Sequence, residues 1–364
     1  MSRPTVAEIN LLALKRNVKK LKKITRSKIY PVVKANAYGH GLKRVIETIN
    51  GYISGYCVAT FEESIELRRL TSKSVVCMEG PYNLEELKNL EKLNIDYVIH
   101  SNRQISFLAE IKSSDLSGNN KIWLKVDTGM NRLGFKENEI LKAFTKIISF
   151  KKKIVLMSHF SSASANTKAK KQSNKQIRLF KKYESKLKKI KPNLISSLCN
   201  SGGLINFKNS HMGISRPGIS IFGCQEDLGK SSLDLEQVMT LKSKFISIKK
   251  VQKGELVGYE GTWRAKKDTT VGILPIGYAD GYPTGMGNSA YVLVDNKKAK
   301  VIGRVSMDLT AVDLSRCVQA NFNSEVILWG SNLKIDKVAK FSNTISYELM
   351  TSVSKRVKRK YIEK

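Results

Sequence analysis

The sequence has few acidic residues and no long apolar run. Its 31 Asp and Glu residues stand against 64 Lys and Arg residues, which gives a formal net charge of +33. No apolar run approaches the ~20 residues that a membrane-spanning helix needs, and the first residues carry no apolar leader. We therefore predict a cytoplasmic protein without a membrane segment.

Cysteine is also scarce. The five cysteines are far apart and include no Cys-x-x-Cys pair, so neither a disulfide framework nor a zinc site is indicated. Several lie inside apolar runs, which is typical of small core residues. We expect no metal site. The five are Cys57, Cys77, Cys199, Cys224 and Cys317.

The excess of positive charge raises the question of a polyanionic partner. The lysines are spread along the chain, mostly between apolar residues at helical spacing, as in 181–189. Such runs usually form the solvated faces of amphipathic helices. The sequence contains no zinc-finger spacing, no RNA-recognition aromatics and no P-loop. We expect no specific nucleic-acid partner.

Repeated apolar runs organise the first part of the chain. Eight β-branched runs, most separated by amphipathic helical patterns, predict parallel strands covered by helices. Eight such units in roughly 200 residues favour a (β/α)8 TIM-type barrel, with an open doubly wound sheet as the alternative. The runs are Ile29–Ala37, Tyr56–Phe61, Ser74–Gly80, Ile95–His100, Lys121–Asp127, Ile154–Phe160, Leu194–Asn200 and Ile214–Phe222.

The pattern changes after Gly223. Alternating runs broken by Gly-rich turns predict a C-terminal antiparallel β domain. We place the boundary near residue 235, in the polar stretch Gln225–Asp234, which gives domains of 1–235 and 236–364. The runs are Val238–Ile248, Thr269–Ile276, Tyr291–Val294, Lys300–Val305 and Glu325–Trp329, followed by a helix around Lys334–Ser342.

Charged and small polar residues follow several predicted barrel strands. Because the C-terminal ends of barrel strands form one rim, these residues are expected to converge. A lysine, arginines, a histidine and Gly/Ser turns on one rim suit an anionic cofactor and a carboxylate substrate. Each alone is equally compatible with a structural role, such as a turn at Asp127-Thr128-Gly129. The candidates are Lys34, Lys125, Arg132, His159, Ser201 and Arg216.

The most specific stretch lies around Lys34. The residues from Val32 to Gly41 read Val-Val-Lys-Ala-Asn-Ala-Tyr-Gly-His-Gly, and they closely resemble the pyridoxal-phosphate (PLP) lysine motif of the alanine racemases. The resemblance runs from Arg3 to Tyr361. It implies a PLP-dependent racemase that interconverts L- and D-alanine and supplies D-alanine for peptidoglycan.

The resemblance also implies the division of catalytic labour. Racemisation adds and removes a proton on opposite faces of a planar carbon, so two bases on opposite sides are the economical solution. Lys34 would hold PLP and serve one face, and Tyr259 would serve the other. A tyrosine hydroxyl has an ordinary pKa of about 10, so Tyr259 needs cationic help, which in the family runs through His159 to Arg216.

Further roles carry over residue by residue. The phosphate would be bound by Tyr38, Ser201, Gly218, Ile219 and Tyr347, and Arg216 would face the pyridine nitrogen. The substrate would meet Arg132, Met307 and Tyr278, and Lys125 occupies a position that can be carbamylated.

The resemblance further implies a head-to-tail homodimer with shared active sites, because the family's C-terminal elements reach the opposite subunit. Three positions depart from the family pattern: Ser306, Ser164 and Thr284. The last two remove charge from the substrate channel. The alternatives are a broad-specificity amino-acid racemase, a PLP decarboxylase of the same barrel type, and a non-catalytic PLP- or polyanion-binding protein.

Overall fold

Eight short parallel strands form a barrel, which confirms the predicted fold class. The structure is a computed structural model that describes residues 3–116, 118–164, 166–224, 233–330 and 332–363. Most barrel strands are buried along nearly their whole length, as expected for a sheet covered by helices. The strands are Lys28–Ile29, Gly55–Val58, Ser74–Cys77, Asp96–Ile99, Lys121–Lys125, Lys153–Met157, Ile195–Ser197 and Ile214–Ser215.

The barrel closes between its first two strands. From the second strand to the eighth, each strand pairs in parallel with the next one in the chain, and the eighth pairs with the first. The remaining gap is joined by a parallel bridge between Val32 and Cys57, where the Val33 amide donates to the Cys57 carbonyl at 2.9 Å. The closed arrangement rules out the open doubly wound alternative.

Helices surround the barrel and separate its strands. Their apolar faces pack on the strands, and the five cysteines are buried, as predicted. The helices are Leu11–Lys23, Leu42–Ile49, Phe61–Leu70, Leu84–Lys92, Asn102–Glu110, Glu137–Ile148, Thr167–Lys188 and Ser201–Asn206. Within the described ranges, each helix is too short or too polar to cross a bilayer.

The first barrel strand is shorter than the sequence suggests. The predicted strand Ile29–Ala37 ends before Lys34, and Lys34–Tyr38 form a turn of left-handed helix. Ala35, Asn36, Ala37 and Tyr38 all have φ between 51° and 53°. Left-handed backbone costs roughly 1–2 kcal/mol per residue other than glycine, so tertiary contacts must hold this turn.

The second sheet has nine strands, and all but one of its pairings are antiparallel. In spatial order they are Ser247–Val251, Thr269–Leu274, Thr310–Asp313, Lys297–Ile302, Tyr291–Val294, Val326–Trp329, Met239–Ser243, Val6–Asn10 and Lys358–Ile362. A small hairpin pairs Leu256–Val257 with Trp263–Arg264, and two helices follow at Ile335–Phe341 and Ser346–Ser352.

The N-terminal strand belongs to this second sheet. Val6–Asn10 pairs with Met239–Ser243 and with Lys358–Ile362, and its alternate residues Ala7 and Ile9 are fully buried. Both described ends of the chain therefore lie in the second sheet, and the barrel is formed by the segment between its strands Val6–Asn10 and Met239–Ser243. The stretch predicted to hold the domain boundary lies largely outside the described residues, so the boundary near residue 235 stays a prediction.

An ion cluster fixes the N-terminus to the second domain. Asp280 is completely buried, and both of its oxygens accept hydrogen bonds from Arg3, at 2.6 and 2.7 Å. The Gly277 amide donates to the same carboxylate at 3.0 Å, and Arg356 lies 3.5 Å away. Asp280 thus anchors the turn that carries Tyr278.

We expect Arg3→Ala to lower the free energy of unfolding by about 2 kcal/mol, because a buried carboxylate loses its bidentate partner while Arg3 itself is partly exposed. Urea unfolding followed by tryptophan fluorescence measures this loss. Arg16→Ala, which removes an arginine from the more exposed Glu236, should cost about 1 kcal/mol or less. Equal losses in the two variants would contradict the assignment.

Candidate active site

The C-terminal ends of the barrel strands surround a cavity of about 780 Å³. Every residue that the barrel motifs suggested lines it, and so does one residue from the last helix of the chain. They are Lys34, Tyr38, Lys125, Arg132, His159, Ser201, Arg216, Gly218, Ile219 and Tyr347. The barrel topology therefore brings together residues that are up to 313 positions apart in the chain.

Lys34 lies at the start of the left-handed turn, with its side chain exposed in the cavity wall. The predicted strand Ile29–Ala37 would place Lys34 in a paired strand, which is wrong, because the strand pairing stops at Val32 and the backbone then turns. The turn ends at Gly39, where φ is +78° and a Cβ atom would lie 2.2 Å from the Met350 carbonyl oxygen. Only glycine fits this close approach.

Arg216 is the most deeply buried cation of the cavity, with 2% of its surface exposed. It follows the eighth strand and donates to the Ser158 carbonyl at 2.5 Å and to the Ser197 hydroxyl. Among the residues that the structure describes, no carboxylate forms an ion pair with it. Burial lowers the pKa of this guanidinium, yet arginine stays protonated in proteins. The cavity therefore holds a fixed, uncompensated positive charge.

Burial and the nearby positive charges lower the pKa of two neighbouring groups. Burial, followed by Arg132 and Arg216, lowers the pKa of Lys125 to about 8. Burial and the same cations hold the pKa of His159 well below its ordinary value. At neutral pH, His159 is therefore an uncharged imidazole, and roughly a tenth of Lys125 is neutral.

Hydroxyl and amide groups form a concave cradle at one end of the cavity. The Ser201 hydroxyl accepts hydrogen bonds from the Gly218 amide at 2.9 Å and the Ser220 amide at 3.2 Å. A Cβ atom on Gly218 would lie 2.6 Å from the Tyr38 hydroxyl. The rings of Tyr38 and Tyr347 lie 5.9 Å apart, and burial raises the pKa of Tyr38. Such neutral donors suit a phosphate group.

The loop that carries Arg132 is fixed by one carboxylate. One oxygen of Asp127 accepts from the amides of Gly129, Met130 and Asn131 at 2.8, 3.0 and 3.1 Å. Gly129 has φ +113°. This confirms the Asx-capped turn that the sequence suggests at Asp127–Gly129, and the turn directs Arg132 to the cavity wall.

Three predicted residues do not line the cavity of their own chain. Tyr259, Tyr278 and Met307 are 67%, 46% and 52% exposed on the second domain. The Tyr278 amide donates to the Ser306 carbonyl at 3.1 Å, and the Ala279 amide donates to the Met307 carbonyl at 3.0 Å. Tyr278 and Met307 therefore sit on two loops that are bonded to each other.

The sequence reasoning missed the residues that hold Arg216. Ser158 and Ser197 bond its guanidinium, and the Ser158 hydroxyl donates to the Val126 carbonyl at 2.8 Å. A signal was available, because serines inside a buried strand such as Leu194–Asn200 need polar partners.

The described residues contain no cluster of metal-ligating side chains.

Family models match both parts of the chain. The model described as "Alanine racemase, N-terminal domain" matches residues 9–226, and "Alanine racemase, C-terminal domain" matches residues 238–361. The chain belongs to the alanine racemase family.

The family relationship extends over the whole length of the chain. It is 36% identical to the alanine racemase of Actinobacillus succinogenes, over 99% of this chain and 100% of that protein. The biosynthetic alanine racemase of Pseudomonas aeruginosa superposes with a TM-score of 0.90 at 34% identity, over 99% of this chain and 100% of that one.

A third relative carries a cofactor. The alanine racemase of Bartonella henselae, solved with covalently bound pyridoxal phosphate, matches with a TM-score of 0.90 at 26% identity, over 99% of each chain. These comparisons confirm the resemblance that the lysine motif indicates.

We expect Lys125→Met to stabilise the protein at pH 7 by about 2–3 kcal/mol, and by less at pH 10. Between its lowered folded pKa of about 8 and its unfolded value of 10.5, Lys125 is protonated more in the unfolded than in the folded state. The loss of stability caused by burying the charged amine is therefore complete below pH 8, and it disappears as the pH rises through 10.5.

Urea unfolding of wild type and Lys125→Met in CO2-free buffer at pH 7 and pH 10 gives the two differences. Lys153→Met, at the exposed first residue of the next strand, is the control and should show little difference at either pH. A Lys125→Met effect of equal size at both pH values would contradict the lowered pKa.

Proposed function

We propose that this chain is a PLP-dependent alanine racemase that interconverts L- and D-alanine and supplies D-alanine for cell-wall peptidoglycan. The cavity carries the proposal: ten residues that the family motifs assign to cofactor or substrate line one space at the barrel rim. Full-length identity of 34–37% to curated alanine racemases supports it.

The donor set of the cavity fits PLP. The Lys34 amine is exposed in the wall, and hydroxyls and amides form a concave cradle. Arg132 and Arg216 provide positive charge for anionic groups. When bound, PLP supplies an electron sink that stabilises negative charge at the substrate α-carbon. Lys34 would hold the cofactor, and the cradle of Tyr38, Ser201, Gly218, Ile219 and Tyr347 would bind its phosphate.

Arg216 would set the electronic character of the site. A guanidinium does not give up its proton readily, so Arg216 would supply no proton to a pyridine nitrogen that faced it. PLP bound in this way would withdraw less charge from the α-carbon, which would favour simple return of a proton over transamination. The neutral partners of Arg216, the Ser158 carbonyl and the Ser197 hydroxyl, hold the guanidinium without reducing its charge.

Two bases on opposite faces would perform the proton transfers. Lys34 would remove or return a proton on one face, and Tyr259 would do so on the other. His159 would link Tyr259 to Arg216, and its neutral imidazole is able to donate and accept a hydrogen bond at once. Arg132 and the Met307 amide would bind the substrate carboxylate, and Tyr278 would line the entry.

A head-to-tail homodimer would complete the site. Tyr259, Tyr278 and Met307 are exposed together with Leu256 and Leu309, and exposed apolar side chains on one domain are typical of an interface. In a two-fold dimer this surface would meet the cavity of the partner subunit. The cytoplasmic location also remains our prediction.

Lys125 would be carbamylated. A pKa of about 8 leaves a neutral amine fraction that is able to attack CO2. The new N–C bond forms as the nitrogen loses a proton, and the product is an anionic carbamate. This replaces a cation beside Arg132 and Arg216 by an anion, which relieves the like-charge repulsion of the cavity.

A broad-specificity amino-acid racemase is the second candidate. Ser164 lies in the cavity wall, at a position where the family often has an acidic residue. A small neutral side chain there leaves room for substrates longer than alanine. Thr284, the other channel departure, does not line the cavity of its own chain.

We expect the purified protein with added PLP to form D-alanine from L-alanine, and Lys34→Ala to lose more than roughly a thousandfold of this activity. Chiral chromatography measures the product, and visible absorbance reports bound cofactor. Lys28→Ala, an exposed lysine of the first strand, should keep both. Faster turnover of serine, lysine or arginine would favour the broad racemase, and absence of bound PLP would contradict the proposal.

We expect a mixture of Lys34→Ala and Tyr259→Phe chains to recover activity that neither variant has alone. Random reassortment makes half of the dimers mixed, and each mixed dimer has one intact site, so roughly a quarter of wild-type activity returns. The rate is measured after the variants are unfolded together and refolded. No recovery would mean that both bases of a site come from one chain.

A further inference from the structure

Glu63 makes a contact that reaches beyond its own helix. It is the third residue of the helix Phe61–Leu70, whose N-cap is Thr60. One carboxylate oxygen accepts the Ala59 amide at 2.8 Å, and the other accepts the Ala35 amide at 2.6 Å. The second bond spans 28 residues of sequence and ends at the peptide bond that follows Lys34.

The next two barrel helices show which of the two Glu63 bonds recurs in neighbouring barrel units. Glu86 and Gln104 are also third helical residues, and each accepts the amide of the residue before its N-cap, from Tyr82 and His100, both at 2.9 Å. The Ala59 bond of Glu63 is therefore a local feature of these barrel units. The second oxygen of Glu86 accepts only from the Asn83 side chain, at 3.4 Å, and the second polar atom of Gln104 bonds to carbonyl groups, so neither position holds a second backbone amide as Glu63 does.

The second polar atom differs between the three positions. In Gln104 the side-chain amide donates to the Glu79 and Pro81 carbonyls at 3.0 and 3.2 Å. In Glu63 both facing groups are N–H donors, so both side-chain oxygens must accept. A glutamine at residue 63 would place an NH2 group against one of these amides. A carboxylate is thus required at residue 63, whereas an amide suffices at residue 104.

The contact acts at the point where the backbone leaves the barrel. The Ala35 amide belongs to the Lys34–Ala35 peptide, and the following four residues all have left-handed backbone. Holding this peptide fixes the direction in which the Lys34 side chain leaves the backbone. The Ala59 amide follows the second barrel strand, so the same carboxylate ties the lysine turn to that strand.

We propose that Glu63 is a positioning residue, which holds the Lys34–Ala35 peptide so that the Lys34 amine meets bound PLP in the reactive geometry. This inference rests on the proposed function, and it adds a requirement for a carboxylate at a residue outside the cavity wall. Glu63 acts on the reaction through Lys34 and touches neither cofactor nor substrate.

The test compares full-length wild type, Glu63→Gln and Glu86→Gln. Glu63→Gln keeps the side-chain shape and the helix position, and Glu86→Gln is the matched control for the local bond. Three readouts apply: hydrogen exchange at the Ala35 and Ala59 amides, the dissociation constant of PLP from visible absorbance with borohydride trapping on Lys34, and kcat and KM for alanine.

We expect Glu63→Gln to lose exchange protection at Ala35 or Ala59, and to lose roughly ten- to hundredfold in kcat or PLP affinity, with KM for alanine nearly unchanged. Glu86→Gln should change exchange at Tyr82 at most slightly, because Gln104 makes the same local bond with an amide oxygen. Wild-type cofactor affinity and kcat in Glu63→Gln, or an equal loss in Glu86→Gln, would overturn the proposal. Wild-type protein that neither binds PLP nor turns over alanine would overturn the proposed function, while lost Ala35 protection in Glu63→Gln would still support the contact.

Discussion

Positive charge concentrated at one barrel rim is the constraint on which the site depends. Lys34, Lys125, Arg132 and Arg216 line a single cavity, and Glu79 is the one acidic residue in its described wall. Burial, and after it the repulsion of the neighbouring cations Arg216 and Arg132, lowers the pKa of both Lys125 and His159. An anionic cofactor and a carboxylate substrate would compensate this charge, so binding and stability are linked at the same residues.

Backbone and side-chain contacts of the barrel hold these mutually repelling cations close together. The barrel closes through the Val32–Cys57 bridge shortly before Lys34, and neutral serine oxygens at the ends of the sixth and seventh strands hold Arg216. The left-handed turn after Lys34 is held by the contact of Glu63 with the Ala35 amide, and it ends at Gly39, where the Met350 carbonyl leaves no room for a Cβ atom. The ion pair of Arg3 and Asp280 extends the same principle to the second domain, where it anchors the turn that carries Tyr278.

The eight barrel strands and the convergence of the rim residues follow from hydrophobic runs and strand-end positions, which depend on local sequence. The extent of the first strand does not, since nothing in Ala35-Asn36-Ala37-Tyr38 except the asparagine favours left-handed backbone. The strand Val6–Asn10 was missed because its partners lie more than 200 residues away. The roles of Tyr259 and Met307 came from the family resemblance alone, because in one chain both are simply exposed. The contact of Glu63 with the Ala35 amide was also not predictable, since the sequence around Glu63 indicates only the start of a helix.

The most direct test of racemisation follows the α-proton of L-alanine by NMR in D2O with the PLP-loaded protein, while chiral chromatography follows the formation of D-alanine. Enantiomers have equal free energy in water, so the account predicts that the α-proton exchanges for deuterium and that D-alanine rises until it equals L-alanine. The exchange and the inversion should share one dependence on enzyme concentration. Alanine that keeps its α-proton and its configuration, or that loses CO2, would contradict the account.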